Sequence, residues 1–469
     1  MKRRWAMIAS GLLVVAMVLG GCTWFGQKGL VGPQSIEAGE NYILTFHKLP
    51  KNVEATIGSY GGTVRAVLGE IDAVLVTGDA DFLAAIEGVS GFDAAIPDLS
   101  IDWLPDIEPK AFDAEHIGSD EWYYGNYQWD MMAIDAPGAW DAGYTGDGVL
   151  VAVLDTGIDY LHPDLWPCYA GGWDFVNDDD DPYDDDLDGG HGSNVSGIIA
   201  AADDAYGVIG VAPDADILAV KVLDEYGSGD FGWILEGILY AVEQGADVIN
   251  MSLGAYVSHN GYVRTGAGDV YVGANAIAGL VNAIKKTVTY AESQGAFVVA
   301  SAGNDAHDGT GDAGWMHIPS DVGCTAVVSA TGPLDTYYCS GTCSPSSSAG
   351  WTLDPTGDFD LFAFYSDYGP QIDFAAPGGN LDFALYPFPG YCHLVFNCFR
   401  GGWGWMGGTS QASPHVAGVA ALVIGKNGGD MKPSHVLREL RQSADDLGKP
   451  GQDPYYGHGR VNAAQAVAP

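Results

Sequence analysis

Three short stretches, far apart in the chain, offer a carboxylate, an imidazole and a hydroxyl. Asp155 directly follows the apolar run Val149–Leu154. His191 opens the small-residue stretch His191-Gly192-Ser193-Asn194-Val195-Ser196-Gly197, which reads as a helix start. Ser410 stands at another, in Gly407-Gly408-Thr409-Ser410-Gln411-Ala412-Ser413-Pro414-His415. Acyl transfer needs a hydroxyl made nucleophilic by a neighbouring base, and a buried carboxylate to orient that base. A helix amino terminus adds partial positive charge and free N–H groups where an oxyanion develops. Ser410 therefore suits a nucleophile, His191 a general base and acid, and Asp155 the orienting carboxylate. The chain order Asp, His, Ser is one of the known convergent arrangements.

Such side chains need a rigid frame. From about Glu121 onward, apolar strands (149–154, 215–220, 247–251, 296–300) alternate with helix-like stretches such as Gly229–Gln244. That pattern predicts an α/β fold: a doubly wound, mostly parallel sheet with helices on both faces and active residues at the strands' carboxyl ends. A smaller unit precedes it, at 41–104. Strands at Tyr42–Phe46, Thr63–Leu68 and Ala73–Val76, with helices near Lys51–Ser59 and Asp79–Gly88, predict a small α+β, ferredoxin-like module. An acidic segment, Asp98–Asp120, joins the two.

Composition narrows the class. Hydrophobic residues make up 47 % of the 469, which argues against extensive disorder. Acidic residues number 61 against 19 basic, a formal net charge of -42 that repels nucleic acid and anionic lipid. Lys2, Arg3 and Arg4 precede an apolar run, Trp5–Leu19, which is short for a membrane span and has signal-peptide flanks. Leu19-Gly20-Gly21-Cys22 resembles the lipobox of bacterial lipoproteins, which implies lipidation of Cys22 and an extracytoplasmic, membrane-anchored protein. The alternative is an ordinary cleaved signal peptide with Cys22 incidental. The organisation expected is a signal at 1–22, a tether at 23–40, the small module at 41–104, a junction at 105–123 and the large domain at 124–469. Of the other six cysteines, Cys339 with Cys343 and Cys392 with Cys398 are close enough to pair, which leaves Cys168 for Cys324. Many other connectivities, and free buried thiols, stay open.

The three chemical blocks closely resemble the signature motifs of the subtilase family, and the resemblance runs from about Gln128 to Ala468. It implies a serine endopeptidase, monomeric and of broad specificity. Ala300-Ser301-Ala302-Gly303-Asn304 resembles the family's oxyanion-hole block, with Asn304 as donor. Gly227, Ser228 and Gly229, with Ser252, Leu253 and Gly254, look like the two segments between which an extended peptide lies. Ser301, Ala302 and Gly303 would line the pocket for the residue before the scissile bond, and Asp305 could bias it toward basic side chains. The module at 41–104 resembles the family's inhibitory propeptide. Calcium is the expected cofactor, with no organic one. Eight aspartates crowd Asn177–Asp188, and Asp178, Asp180, Asp184 and Asp186 are the candidate ligands, with Asp164 and Asp204 for a second site. The sequence departs from the family at Ser193, Asn194 and Ser196, and at Gln411, where a methionine usually follows the nucleophile. A catalytically silent peptide-binding lipoprotein and an ester hydrolase are the rival readings.

Overall fold

The computed structural model describes residues 41–104, 110–112, 127–310, 314–334, 337–339, 351–353, 358–380 and 393–469, the strands at 110–112, 337–339 and 351–353 by backbone alone. The signal, Cys22, the tether and most of the junction lie outside the described residues.

Residues 41–104 run strand, helix, strand, strand, helix, strand: β1 (Asn41–Phe46), α1 (Val53–Ser59), β2 (Thr63–Leu68), β3 (Ala73–Thr77), α2 (Ala80–Ile86) and β4 (Phe92–Pro97). The four strands form an antiparallel sheet in the order β2-β3-β1-β4. Alternation gives each strand two jobs. Tyr42, Leu44, Val74 and Val76 face the lobe's own helices, while Ile43, Ala73 and Leu75 face the large domain. Asp79 caps α2, accepting the Phe82 N–H at 2.8 Å. A short strand, β5 (Ser100–Asp102), then leaves the lobe.

The large domain is built on a sheet whose strands are β6 (Leu150–Asp155), β7 (Tyr169–Asp174), β8 (Asp216–Lys221), β10 (Val248–Met251), β14 (Phe297–Ser301), β16 (Ala326–Gly332), β17 (Leu361–Phe362) and β18 (Phe374–Pro377). Its order is β17-β16-β14-β10-β6-β8-β7, with β18 also on β16, and every pairing is parallel except β16 with β17. The intervening strands are β9 (Ser228–Asp230), a hairpin sheet of β11 (Ala255–Ser258), β12 (Tyr262–Thr265), β13 (Gly268–Tyr271) and β15 (Trp315–Ile318), and a later hairpin of β19 (Val395–Phe399) and β20 (Gly402–Met406). Lys110–Phe112 pairs with β20.

Period-two alternation decides what covers each face. Val151, Val153, Phe297 and Val299 pack under α5 (His191–Ala200) and α8 (Thr409–Lys426), with α3 (Trp129–Ala133) and α4 (Ala136–Asp141) at the margin. Ala152, Leu154, Val298 and Ala300 pack under α6 (Phe231–Glu243) and α7 (Ala274–Gln294). Those two helices also carry the small lobe's sheet, so one apolar core runs from the small lobe into the large domain. Burying each Val or Leu here contributes about 1.5–3 kcal/mol. The chain ends on α9 (Pro433–Ser443) and α10 (Ala463–Ala466).

The first two residues of the expected helix at 229–244 belong instead to β9, because Gly229 and Asp230 pair with β5. Between the Ser252–Gly254 segment and α7 the chain inserts a three-stranded excursion, 255–271, and residues 274–279 form the first turn and a half of α7.

Candidate active site

Asp155 ends β6, where the apolar run stops and the chain emerges at the sheet's carboxyl edge. Its carboxylate faces His191 Nδ1 at 2.8 Å, and the Thr156 N–H donates to the same oxygen. His191 is the first residue of α5, and this helix start is held by acids earlier in its loop. Asp186 accepts the backbone N–H groups of Gly190 and His191 at 3.1 and 2.9 Å. Asp184 accepts from Ser193 N, Ser193 Oγ and Thr156 Oγ1. Burial disfavours a charged His191, but Asp155 outweighs it, and the imidazole titrates above its ordinary value of 6.5. Nε2 is buried and has no partner among the described residues. With Nδ1–H given to Asp155, Nε2 is the basic atom.

Ser410 lies in the first turn of α8. Its Oγ donates to the Ser252 carbonyl at 3.1 Å, while Ser252 Oγ donates back to the Ser410 carbonyl at 2.8 Å. The hydroxyl is thus turned to Ser252 rather than bonded to His191; such catalytic hydrogen bonds often tighten only when a scissile bond is in place. Neighbouring hydroxyls are committed: Thr409 Oγ1 to Asn304 Oδ1, and Ser413 Oγ to Ser252 Oγ. Asn304 Oδ1 also accepts the Thr409 N–H at 2.8 Å, which leaves its amide N–H groups for the cleft.

The helices that carry His191 and Ser410 are joined by two of the residues that depart from the family pattern. Gln411 Nε2 donates to Asn194 Oδ1 at 3.2 Å, and Asn194 Nδ2 donates to the Cys398 carbonyl at 3.1 Å. Both side chains are fully buried. Because Gln411 has no thioether to oxidise, activity should survive dilute peroxide, and Gln411→Met should lose most of it in the same exposure. Equal decay of the two proteins would refute this; residual turnover against time is the measurement.

The cleft beside Ser410 already holds a peptide, the chain's own. β5 pairs antiparallel with β9, Asp102 opposite Ser228 and Ile101 opposite Gly229. Beyond it, Trp103 N–H donates to the Gly227 carbonyl at 3.0 Å and the Gly254 N–H donates to the Trp103 carbonyl at 3.1 Å. The tail therefore threads between the two segments expected to bind substrate. Trp103 is 2 % exposed, with Nε1 on the Gly229 carbonyl and its ring edge-on to Phe231. A cavity of about 240 Å³ follows, lined by Leu104, Gly254, Ser301, Gly303, Asn304 and Ser410 among others. His317 floors it, so close that a Cβ on Gly254 would lie 2.0 Å from the ring. Burial pushes His317 down to about 3, so it stays neutral. A larger groove, about 710 Å³, opens between Ala66 and Tyr240, where the small lobe meets α6, away from these groups.

Several expectations need correction. Ala302 does not line the cavity; just past the end of β14, it turns opposite to Ser301 and faces the core beneath α6 and α7. Asp305 does not offer a free charge, because Arg264 from the inserted hairpin pairs with it while lying 4.7 Å over Tyr256 and 4.8 Å over Trp315. The aspartates do not gather into a calcium cage. Asp184 and Asp186 are buried and spend their oxygens on N–H and O–H donors, whereas Asp178 and Asp180 are exposed. Asp164 is buried, accepting from Val208 N and Trp403 Nε1, while Asp204 is exposed. Among the described residues the one metal-like group is His162, Asp164 and Cys398. Both His162 nitrogens are already bonded, to the Gly402 carbonyl and the Asp164 N–H, and burial pushes the ring down to about 4. It is a buried polar knot.

Two of the three expected cysteine pairings, Cys168 with Cys324 and Cys392 with Cys398, fail as well. Cys168, Cys324 and Cys398 are free and buried, Cys168 and Cys324 on opposite faces of the sheet. Cys343 and Cys392 lie outside the described residues, as does the side chain of Cys339. Trp403 and Trp405 pack in the core, and His415 is held between the Gln411 carbonyl and Asp130. Sequence reasoning missed Asp186 as a clamp on α5, Thr409 as the residue orienting Asn304, and Arg264. Thr409 sits beside Ser410 and could have been asked; nothing local singles out Arg264.

A family model described as the subtilase family matches residues 146–459. Thermitase of Thermoactinomyces vulgaris is 33 % identical over 346 residues, covering 74 % of this chain and 97 % of the relative. Subtilisin E of Bacillus subtilis (strain 168) is 34 % identical over 355 residues, 75 % of this chain and 74 % of the relative. Among solved structures, a lanthipeptide protease superposes with TM-score 0.57 at 28 % identity, over 73 % of this chain and 94 % of that one. The epidermin leader peptide processing serine protease of Staphylococcus aureus shares the fold with TM-score 0.70 at 21 % identity, over 92 % of this chain and 99 % of that one.

Proposed function

Because the chain belongs to the subtilase family and is a serine endopeptidase, we propose that Ser410 attacks the scissile carbonyl, His191 carries the proton and Asp155 orients His191. The observation that carries this reading is the buried 2.8 Å contact of His191 Nδ1 with Asp155, which leaves Nε2 unpartnered. Nε2 takes the Ser410 proton as Oγ bonds to carbon, then returns it to the leaving amine. The oxyanion forms against the Asn304 amide and the Ser410 N–H, which sits in the first turn of α8, where backbone donors lack helical acceptors. Water then releases the acyl group by the same route. A fluorophosphonate probe tests the assignment: it should label the wild type at Ser410 and leave Ser410→Ala unlabelled. Labelling of the variant would remove it.

Substrates would lie as β5 does, along Gly227–Gly229 and Ser252–Gly254, through main-chain hydrogen bonds that tolerate many sequences. Residues 41–104 would then act as an inhibitory propeptide, cut within 105–123 by the enzyme itself. The tail across the cleft and the apolar seam with α6 and α7 support that. The amino-terminal signal and Cys22 support an extracytoplasmic, lipid-anchored enzyme; no helix among the described residues is long and apolar enough to cross a membrane. Calcium has no fitting ligand set among the aspartates named above, and no step is routed through it.

The seam carries a pH dependence. Asp98 of the small lobe accepts the Gly232 N–H at the start of α6 at 2.7 Å and pairs with Arg65 at 3.1 Å. Burial raises its carboxyl despite these partners. Burial and then Asp98 raise Asp230 to about 6, and burial, opposed by Arg65, raises Glu236 to about 7. Asp224 and Asp178 add further negative charge. Carboxyls raised in the docked state mean that docking binds protons. It is therefore strongest below about pH 4 and weakens as pH rises through about 6 to 7. The lag before activity appears, after the junction is cut, should shorten from pH 5 to pH 8. A lag that lengthens would refute this.

A further inference from the structure

The inserted hairpin reaches the cleft and meets the peptide held there. Asp102 of β5 presents one carboxylate oxygen to Ser228 Oγ at 2.8 Å and the other to the Gly266 N–H at 2.9 Å. These donors come from opposite walls: Ser228 begins β9, and Gly266 lies in the turn between β12 and β13. The neighbouring Asp224 is turned away, accepting the backbone N–H groups of Tyr226 and Ser228. Close approach at Gly266 depends on glycine, since a Cβ there would lie 2.1 Å from the Asp102 carboxylate oxygen. The Trp103 main-chain bonds that set the register are ones any peptide can make, and both donors remain in the enzyme once the tail departs.

We propose that Ser228 Oγ and the Gly266 N–H form a subsite for an acidic side chain, so that the enzyme favours substrates with aspartate at the position that pairs with Ser228. The proposal rests on the peptidase reading above. Two carboxylate oxygens matched by two donors explain aspartate best. Asparagine offers one acceptor oxygen, and alanine none. Charge-assisted bonds to a solvent-exposed carboxylate correspond to a preference of about fivefold in kcat/KM.

The experiment compares internally quenched peptides that continue past Leu104, Ser-Ile-Asp-Trp-Leu-Pro-Asp-Ile-Glu-Pro-Lys-Ala-Phe and its versions with Asn or Ala in place of the first Asp, with the wild type, Gly266→Ala and Ser228→Ala. The wild type should rank them Asp, Asn, Ala, with Asp over Ala by about fivefold. Gly266 does not have a left-handed φ, so alanine fits the backbone and its methyl displaces only the carboxylate. Its Asp-to-Ala ratio should fall to about one, and that of Ser228→Ala part of the way. Equal rates for the Asp and Ala peptides in the wild type, or a preference that survives both substitutions, overturn the subsite and leave the peptidase reading intact. No turnover of any peptide, with no fluorophosphonate labelling of the wild type, removes the peptidase reading and the subsite with it.

Discussion

Ser410→Ala should lower kcat for peptide hydrolysis by about a millionfold and leave residues 41–104 attached to the chain. The surroundings of Ser410 explain why nothing takes its place. Thr409 Oγ1 is tied to Asn304, and the Ser252 and Ser413 hydroxyls bond to one another. The substitution removes one hydrogen bond, that from Oγ to the Ser252 carbonyl, and alanine is at ease in a helix. Folding should therefore survive, and intact mass beside a casein assay separates lost chemistry from lost structure. A variant that still matures and cleaves would show that the nucleophile lies elsewhere.

Asp155→Asn is expected to reduce kcat by about ten-thousandfold while keeping the fold. Asparagine can present its amide to Nδ1 and stabilise the tautomer with the proton on Nε2, where it cannot serve as a base. The same change removes the main group that raises the His191 pKa against burial; Asp184 and Asp186 contribute less. In the wild type a protonated His191 cannot accept a proton, so activity should rise with pH through a value above 6.5. In Asp155→Asn the residual activity should show that limb at lower pH. A limb that stays in place would mean that Asp155 does not set the charge of His191.

Much of the site was legible before any coordinates because its signals are local. A carboxylate that ends an apolar run and a hydroxyl at a helix start keep their meaning wherever the chain goes. The parallel sheet was legible for the same reason, since strands buried on both faces must read as continuous apolar runs. The small lobe followed from its alternation and turns.

What the tertiary structure decided was the partner of each polar group. Crowded aspartates before His191 suggested a cation by their repulsion, but folding brings backbone N–H groups and the Ser193 and Thr156 hydroxyls to Asp184 and Asp186 instead. Cys168 and Cys324 could be paired on paper, yet the sheet stands between them. Asp305 looked like a free charge until an insertion some forty positions earlier laid Arg264 on it. Composition and periodicity fix which face of an element is buried. Charges and thiols find their partners across long sequence separations, and those encounters exist only once the elements have packed.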